Sequence, residues 1–170
     1  RNVAIGYAAL ETQNAGADAY NTAIGYNAGN DITTGILNTL IGGLAGDALT
    51  EGDSNVAMGY LALSTETLGD RNVAIGLGAL AAQNNTSDTD VYNTAIGYNA
   101  GAAVTTGIQN TILGGLAGDA LTTGAGNVAI GYEALTTQIV GGRNVAVGSQ
   151  ALKNQNVNAN ANNTAVGYQA

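Results

Sequence analysis

The chain has 170 residues, including 26 glycines and eight tyrosines, and it lacks proline, cysteine, histidine, phenylalanine and tryptophan. Without cysteine or histidine there can be no disulfide, no thiolate metal site and none of the commonest acid–base catalysis, so we expect neither an enzyme nor a cofactor. Four basic residues stand against twelve acidic ones, for a net charge of -8. That balance disfavours nucleic acid and anionic membranes as partners.

A short block that begins NVAIGY at residue 2 recurs along the whole chain. Its ten copies start at Asn2, Asn21, Asn38, Asn55, Asn72, Asn93, Asn110, Asn127, Asn144 and Asn163. We number repeats 1 to 10 by these asparagines. The spacings are 17 residues, with two or four residues added in three repeats. The additions, around residues 14–18, 84–90 and 154–162, are polar, and we expect them to form loops outside a regular core.

Two positions in the block never change. A glycine stands four residues after each asparagine: Gly6, Gly25, Gly42, Gly59, Gly76, Gly97, Gly114, Gly131, Gly148 and Gly167. An alanine stands seven residues after each asparagine, from Ala9 to Ala170. A second glycine near the end of the uninterrupted repeats (Gly35, Gly52, Gly69, Gly107, Gly124 and Gly141) predicts a turn with positive φ.

The start of each block alternates with a period of two, which is typical of a β-strand. In repeat 1, Val3 and Ile5 share one side, and Ala4 and Gly6 share the other. We expect the larger, β-branched side to fill a narrow core. Helix is disfavoured, because each interior glycine costs about 1 kcal/mol relative to alanine. Residues 32–36 and their equivalents predict a short second strand.

Identical strands at a period of 17 predict an all-β fold, a parallel β-roll or β-solenoid of ten coils about 4.8 Å apart. The asparagines would then form a ladder of side-chain amides along the axis. Volumes also change together within repeats. Where the second strand position enlarges to Leu40 or Ile112, a position usually held by tyrosine becomes Gly43 or Gly115. We interpret this as compensation inside one close-packed core.

A longer period overlies the short one. Residues 1–70 and 71–142 align as two units of four repeats, and a partial unit covers 143–170. We expect one repetitive segment, cut from a longer fibre. The small Ala/Gly side of the strand would allow another backbone to approach, which favours self-association as a homotrimer or an end-to-end filament. A flat two-sheet monomer with the Ala/Gly side facing inward is the competing interpretation.

The NVAIG block resembles the head repeats of trimeric autotransporter adhesins, and the NTAIGY variants resemble repeats of phage tail-fibre proteins. The resemblance covers the whole chain, although a period of 17 is longer than is usual in the adhesin heads. It implies a left-handed parallel β-roll, a homotrimer and an extracellular, cell-surface or virion location. It also implies a structural or adhesive role in a filament.

Few side chains suggest a binding site. One register holds Tyr7, Tyr26, Tyr60, Tyr98, Tyr132 and Tyr168. We expect these tyrosines to be core residues, and the alternative is an exposed track for a glycan, receptor or other surface. Asp47 and Asp119 lie in two copies of GGLAGDALT, similar to a calcium-binding nonapeptide, and are weak calcium candidates. Thr-Thr pairs such as Thr33-Thr34 suggest ice binding, a less favoured alternative.

Three arginines, Arg1, Arg71 and Arg143, precede the first asparagine of each four-repeat unit, where an ion pair between chains could form. The sequence therefore predicts a structural or adhesive fibre segment, a non-enzymatic role. A glycan- or surface-binding module that uses the tyrosine and asparagine ranks is the alternative function.

Overall fold

The computed structural model describes residues 1–16, 18–155 and 159–170, which form β-strands, turns and bends and no helix. Ten three-residue strands make the main sheet: β1 (Val3–Ile5), β2 (Thr22–Ile24), β3 (Thr39–Ile41), β4 (Val56–Met58), β6 (Val73–Ile75), β8 (Thr94–Ile96), β9 (Thr111–Leu113), β10 (Val128–Ile130), β11 (Val145–Val147) and β12 (Thr164–Val166). Two shorter strands, β5 (Gly69–Asp70) and β7 (Thr89–Asp90), pair with each other.

Each strand of the main sheet pairs in parallel with the strand of the next repeat, at the same position of the block. Val3 pairs with Thr22, for example, and Ala4 pairs with Ala23. The sheet order follows the chain from the first repeat to the last. The fold is a parallel β-solenoid of about nine turns, as the fixed period of the block predicts. The strands occupy the three positions after each asparagine, which the alternation also predicts.

The expected orientation of the strands is wrong. The central residue of each strand faces inward, and in repeats 2 to 9 it is completely buried, as for Ala23 and Leu40. The flanking Val or Thr and the aliphatic residue face outward: Ile5, Met58 and Leu113 are all exposed. The Ala side therefore lines the interior, as in the competing interpretation, and it cannot be the surface that another chain approaches. The interior is narrow at this position, and the larger Leu40 and Ile112 fit where glycines of the turns leave space for them.

The rest of the core comes from the turns that follow each strand. The invariant alanine is fully buried in repeats 2 to 9. The next position is leucine in repeats 1, 4, 5, 8 and 9 and glycine in repeats 2, 3, 6 and 7. Three residues later, the leucine repeats carry glutamine or glutamate and the glycine repeats carry Ile, Leu or Val. The core therefore alternates between two compositions, two repeats at a time.

The proposed exchange of volume between Leu40 and Gly43 is also wrong, because Leu40 is buried and Gly43 lies in the outward-facing tyrosine register. The true partners of Leu40 are Gly29 and Gly46. A Cβ on Gly29 would lie 2.6 Å from Leu40 Cδ1, and one on Gly46 would lie 2.8 Å from Leu40 Cδ2. Gly101 leaves the same space for Ile112. Filled volume is thus conserved between neighbouring repeats.

The second half of each repeat is a chain of tight turns. Residues 32–36 do not form the expected strand. Positive φ occurs instead at non-glycine positions such as Leu44 (56°), Leu63 (54°) and Arg71 (58°). Such conformations are uncommon for leucine, and axial hydrogen bonds hold them. Leu44 N–H donates to Tyr26 O (2.8 Å), and Leu63 N–H donates to Ala79 O (3.0 Å).

The expectation of positive φ at the second glycine is wrong, since Gly35, Gly52 and their equivalents do not have it. A Cβ there would collide with the next repeat: 2.7 Å separates it from Gly52 O at Gly35, and 2.4 Å from Gly124 O at Gly107. Glycine is needed at this position for close approach between successive turns of the solenoid.

The insertions leave the strands in register. In the second insertion, β7 pairs with β5 of the preceding repeat, so part of this segment joins the solenoid. Ala17 in the first insertion, and residues 156–158 in the third, lie outside the described residues.

Candidate functional surface and axial ladders

The ten asparagines form a hydrogen-bonded ladder. At each of the nine steps, the backbone N–H of one asparagine donates to the side-chain Oδ1 of the preceding one, over 2.8 to 3.2 Å. In four steps the Nδ2 group also donates to the preceding Oδ1. The asparagines of repeats 2 to 9 are buried. The amides therefore link successive turns mainly through the backbone, which the sequence did not predict in this detail.

The Nδ2 groups also bond within their own repeat. Asn38 Nδ2 donates to Gly52 O (2.8 Å), and Asn110 Nδ2 donates to Gly124 O (2.9 Å). Each of these asparagines thereby joins the strand, the closing glycine and the next turn of the solenoid. Aspartate could not replace it without losing these donors.

The invariant glycines after the strands line up beside this ladder. Gly6, Gly25 and the others have φ between 129° and 142°, a region that side chains rarely adopt. A Cβ on Gly42 would lie only 2.6 Å from Gly59 O. Backbone conformation and contact with the next repeat therefore both require glycine here.

The tyrosine rank is exposed, so the expectation that it belongs to the core is wrong. Tyr60 and Tyr132 are each 53% exposed, and Tyr98 is 56% exposed. The ring of Tyr7 stacks on that of Tyr26 with centroids 5.5 Å apart and planes inclined by 12°. The rank occupies the second residue after each strand, at the edge of the outer face of the main sheet. The missed signal was that the central strand residues, which alternate away from the tyrosines, are almost all alanine.

We call the outward Val, Thr, Ile, Leu and Met side chains of the main sheet the strand face. They come from the first and third strand positions, and none is charged. Met58 is 37% exposed and Leu113 is 42% exposed. The strand face and the tyrosine rank together form an uncharged, largely apolar surface along the whole row of strands. Such continuous exposed surfaces mark interaction sites.

The two calcium candidates lie apart, in repeats 3 and 7. Desolvation by burial, and to a smaller extent a neighbouring carboxylate (Asp31 and Glu133, respectively), raises the pKa of Asp47 and Asp119 above the usual 3.8. One oxygen of each, Oδ1, is buried without a hydrogen-bond partner. Among the residues that the structure describes, no group of three or more acidic side chains could hold a metal ion.

The first threonine of each pair suggested for ice binding uses its hydroxyl within the fold. Thr33 Oγ1 donates to Thr50 O (3.1 Å), and Thr105 Oγ1 donates to Thr122 O (3.2 Å). These hydroxyls thus form another axial link between successive turns.

Two of the three arginines at the start of the four-repeat units, Arg1 and Arg71, form ion pairs within the chain. Arg1 contacts Asp18 at 3.1 Å and lies over the ring of Tyr20. Arg71 repeats this arrangement with Asp90 and Tyr92. Such exposed pairs contribute up to about 1 kcal/mol.

A cavity of about 440 Å³ lies beside the last repeat, where Lys153 and several amide side chains line it. Lys153 is paired with Glu133.

Residues 1–16, 18–155 and 159–170 include no helix long and apolar enough to cross a membrane. Comparison with protein-family models, with curated proteins and with solved structures found no match.

Proposed function

We propose that the chain is a segment of a structural fibre in an extracellular filament, as a surface adhesin or a phage tail fibre. Ten coils of a left-handed roll would provide a stiff rod about 50 Å long. The axial hydrogen bonds support this role, because ladders of asparagine, threonine and backbone groups bind each repeat to the next. A non-catalytic role also suits the composition.

We infer further that three copies assemble through the strand face. The observation that carries this is an uncharged row of outward-facing aliphatic and threonine side chains, half-buried or exposed, running from β1 to β12. Burial of such side chains yields about 25 cal/mol per Å² of apolar surface removed from water. The Ala side, which the sequence suggested for chain contacts, is already used inside the solenoid. Trimerisation, left-handedness and the extracellular location rest on the resemblance to the adhesin and tail-fibre repeats.

Light scattering on the purified chain at several concentrations tests the assembly. We expect a mass near three times 16.8 kDa. Ile96→Glu places a charge on the strand face and should reduce the mass to that of one chain. Thr106→Glu places a charge at another exposed position and should leave the trimer intact. A single-chain mass at all concentrations would refute the trimer.

Proteolysis tests the fibre role separately. A rod held by axial ladders should resist a broad-specificity protease under native conditions, whether or not it is trimeric. Rapid and complete digestion would contradict the structural role.

A further inference from the structure

From repeat 2 to repeat 10, the tyrosine rank alternates strictly. Tyr26, Tyr60, Tyr98, Tyr132 and Tyr168 belong to the even-numbered repeats 2, 4, 6, 8 and 10. The odd-numbered repeats 3, 5, 7 and 9 carry Gly43, Leu77, Gly115 and Ser149 at the same position. The insertions do not disturb this order, although they change the spacing in the sequence. The alternation is therefore a property of the folded surface.

Hydrogen bonds fix the rank in space. At every step, the carbonyl of the rank residue accepts the N–H of the residue that follows the rank position in the next repeat. Leu44 N–H donates to Tyr26 O (2.8 Å), and Leu61 N–H donates to Gly43 O (3.1 Å). Strands in a sheet lie about 4.8 Å apart, so alternate tyrosines are about 9.6 Å apart. Five such rings extend over about 38 Å.

The alternation leaves the rings uncovered. In repeats 1 and 2, where tyrosines are adjacent, Tyr7 and Tyr26 stack on each other. Between Tyr26 and Tyr60 the rank holds only Gly43, whose added Cβ would come within 3.5 Å of Tyr60 Cδ2 and so fill space beside that ring. A tyrosine in every repeat would cover its neighbours, whereas a tyrosine in every second repeat spaces the rings at a constant interval. The faces are open where Gly43, Gly115 or Ser149 intervenes, and Leu77 occupies the position between Tyr60 and Tyr98.

Charge restricts what such a surface can bind. The chain carries a net charge of -8, with four basic residues. Two of these, Arg1 and Arg71, are paired with carboxylates and lie over other tyrosines. Anionic polymers are therefore disfavoured, and a neutral polymer with apolar faces and a matching repeat is favoured.

We propose that the alternate tyrosines form a binding track for an extended, neutral β-1,4-linked polysaccharide of the cellulose or chitin type. In such chains successive sugars are turned by about half a turn, so every second sugar presents the same face. Two pyranose units span about the length of two turns of the solenoid. Each tyrosine would stack on the C–H face of every second sugar.

Calorimetric titration with cellohexaose and chitohexaose tests this proposal. We expect binding of at least one of them, with affinity rising by about fivefold for each disaccharide added from the dimer to the hexamer. Maltohexaose, whose α-1,4 linkage curves the chain, should bind much more weakly. Failure of both β-1,4 hexamers to bind, or equal binding of maltohexaose, would overturn the proposal.

Matched variants test the residues. Tyr60→Ala with Tyr98→Ala leaves no three consecutive tyrosines of the alternation and should weaken binding of the hexamers by about fivefold, whereas Tyr20→Ala with Tyr92→Ala, which removes two exposed tyrosines outside the rank, should leave it unchanged. Gly115→Tyr would fill one gap in the rank, where an added Cβ has no contact closer than 3.8 Å, and should weaken binding several-fold; unchanged or stronger binding would refute the role of the spacing. Circular dichroism and the solution mass of each variant keep loss of binding separate from loss of fold or assembly.

Discussion

Individual residues control how closely successive turns approach. The glycine after each strand lies against the carbonyl of the equivalent glycine one repeat later, and it has a φ that alanine adopts only with strain. The neighbouring glycine in repeat 3, Gly43, has neither constraint. Gly42 and Gly43 are adjacent in the sequence, but only Gly42 is required by backbone conformation and close packing.

Gly42→Ala should lower the free energy of unfolding by more than about 2 kcal/mol, because φ is 135° and the Cβ would lie 2.6 Å from Gly59 O. Gly43→Ala, with its nearest contact at 3.5 Å, should change it by less than about 0.5 kcal/mol. Urea unfolding followed by circular dichroism measures both. Equal effects would show that the axial contact at Gly42 relaxes without cost.

Asp47 and Asp119 should each oppose folding at neutral pH. Burial raises the pKa of both carboxyl groups above 3.8, so the folded chain binds protons more tightly than the unfolded chain. This destabilisation is complete above the raised pKa and disappears as the pH falls below 3.8.

Asp47→Asn combined with Asp119→Asn should therefore raise the melting temperature at pH 7 and lose most of this advantage by about pH 3. Glu51→Gln, at an exposed position, serves as the control for removing charge from an acidic chain. An advantage that persists unchanged at pH 3 would contradict burial as its cause.

At the scale of the repeat, the sequence predicts where the strand lies but not which of its two sides faces inward. The alternation located every strand of the main sheet and its pairing. It did not show which side faces inward, because Ala and Ile both suit an interior and the choice depends on the width of the coil. The pattern of leucine and glycine between repeats held that information: a leucine at Leu40 coincides with glycines at Gly29 and Gly46, which contact it.

The asparagine ladder could be predicted from the sequence, and the positive φ of the leucines in the turns could not. A recurring asparagine predicts axial contact, and the structure shows such contact at all nine steps. The conformation of Leu44 or Leu63 could not be predicted, because it depends on carbonyl groups of neighbouring repeats rather than on local propensity. The tyrosine rank was assigned to the core for the same reason: its environment is set by the neighbouring repeats.

Glu66 in repeat 4 accepts hydrogen bonds from repeat 5, which carries the four-residue insertion. Its side chain is fully buried. Oε1 accepts N–H groups from Thr67 (3.0 Å), Gly69 (2.9 Å) and Asn85 (3.0 Å). Oε2 accepts the side-chain amides of Gln83 (2.8 Å) and Asn85 (3.0 Å). One carboxylate thus accepts hydrogen bonds from its own turn, from Gln83 of the next repeat and from Asn85 of the insertion.

Glu66→Ala should cost about 3 to 5 kcal/mol of unfolding free energy, because several buried donors lose their acceptor. Glu66→Gln should cost less, since one oxygen acceptor remains. Glu51→Ala, at an exposed glutamate one repeat earlier, should be close to neutral. Urea unfolding of the three variants provides the comparison, and a Glu66→Ala effect no larger than that of Glu51→Ala would contradict the role of Glu66.

At the scale of the whole molecule, stability depends on position along the axis. Each repeat contacts its two neighbours, whereas the first and last strands have a neighbour on one side only, and Val3, Ile5 and Val166 are correspondingly exposed. Stacked repeats behave as a row of nearest-neighbour units.

Amide hydrogen exchange should therefore be slowest in β4, β6, β8 and β9 and should accelerate toward β1 and β12. Exchange measured by mass spectrometry after proteolysis can resolve these segments. Assembly through the strand face would not protect the axial ends, so it would leave the gradient in place. Strong protection of β1 and β12 would indicate end-to-end stacking of separate molecules.

The two-by-two alternation of the core has a genetic consequence. The four-repeat units are nearly identical in places, with YNTAIGYNAG at both 20–29 and 92–101, so unequal recombination between them would add or delete 72 residues at a time. Each such event would change the length of the solenoid by about 19 Å. The repeats that become neighbours would still have compatible cores, and the tyrosines would still alternate. Loss of a single repeat would place mismatched interiors side by side. The length of the solenoid can therefore evolve through the number of four-repeat units, without changes to the packing of the core.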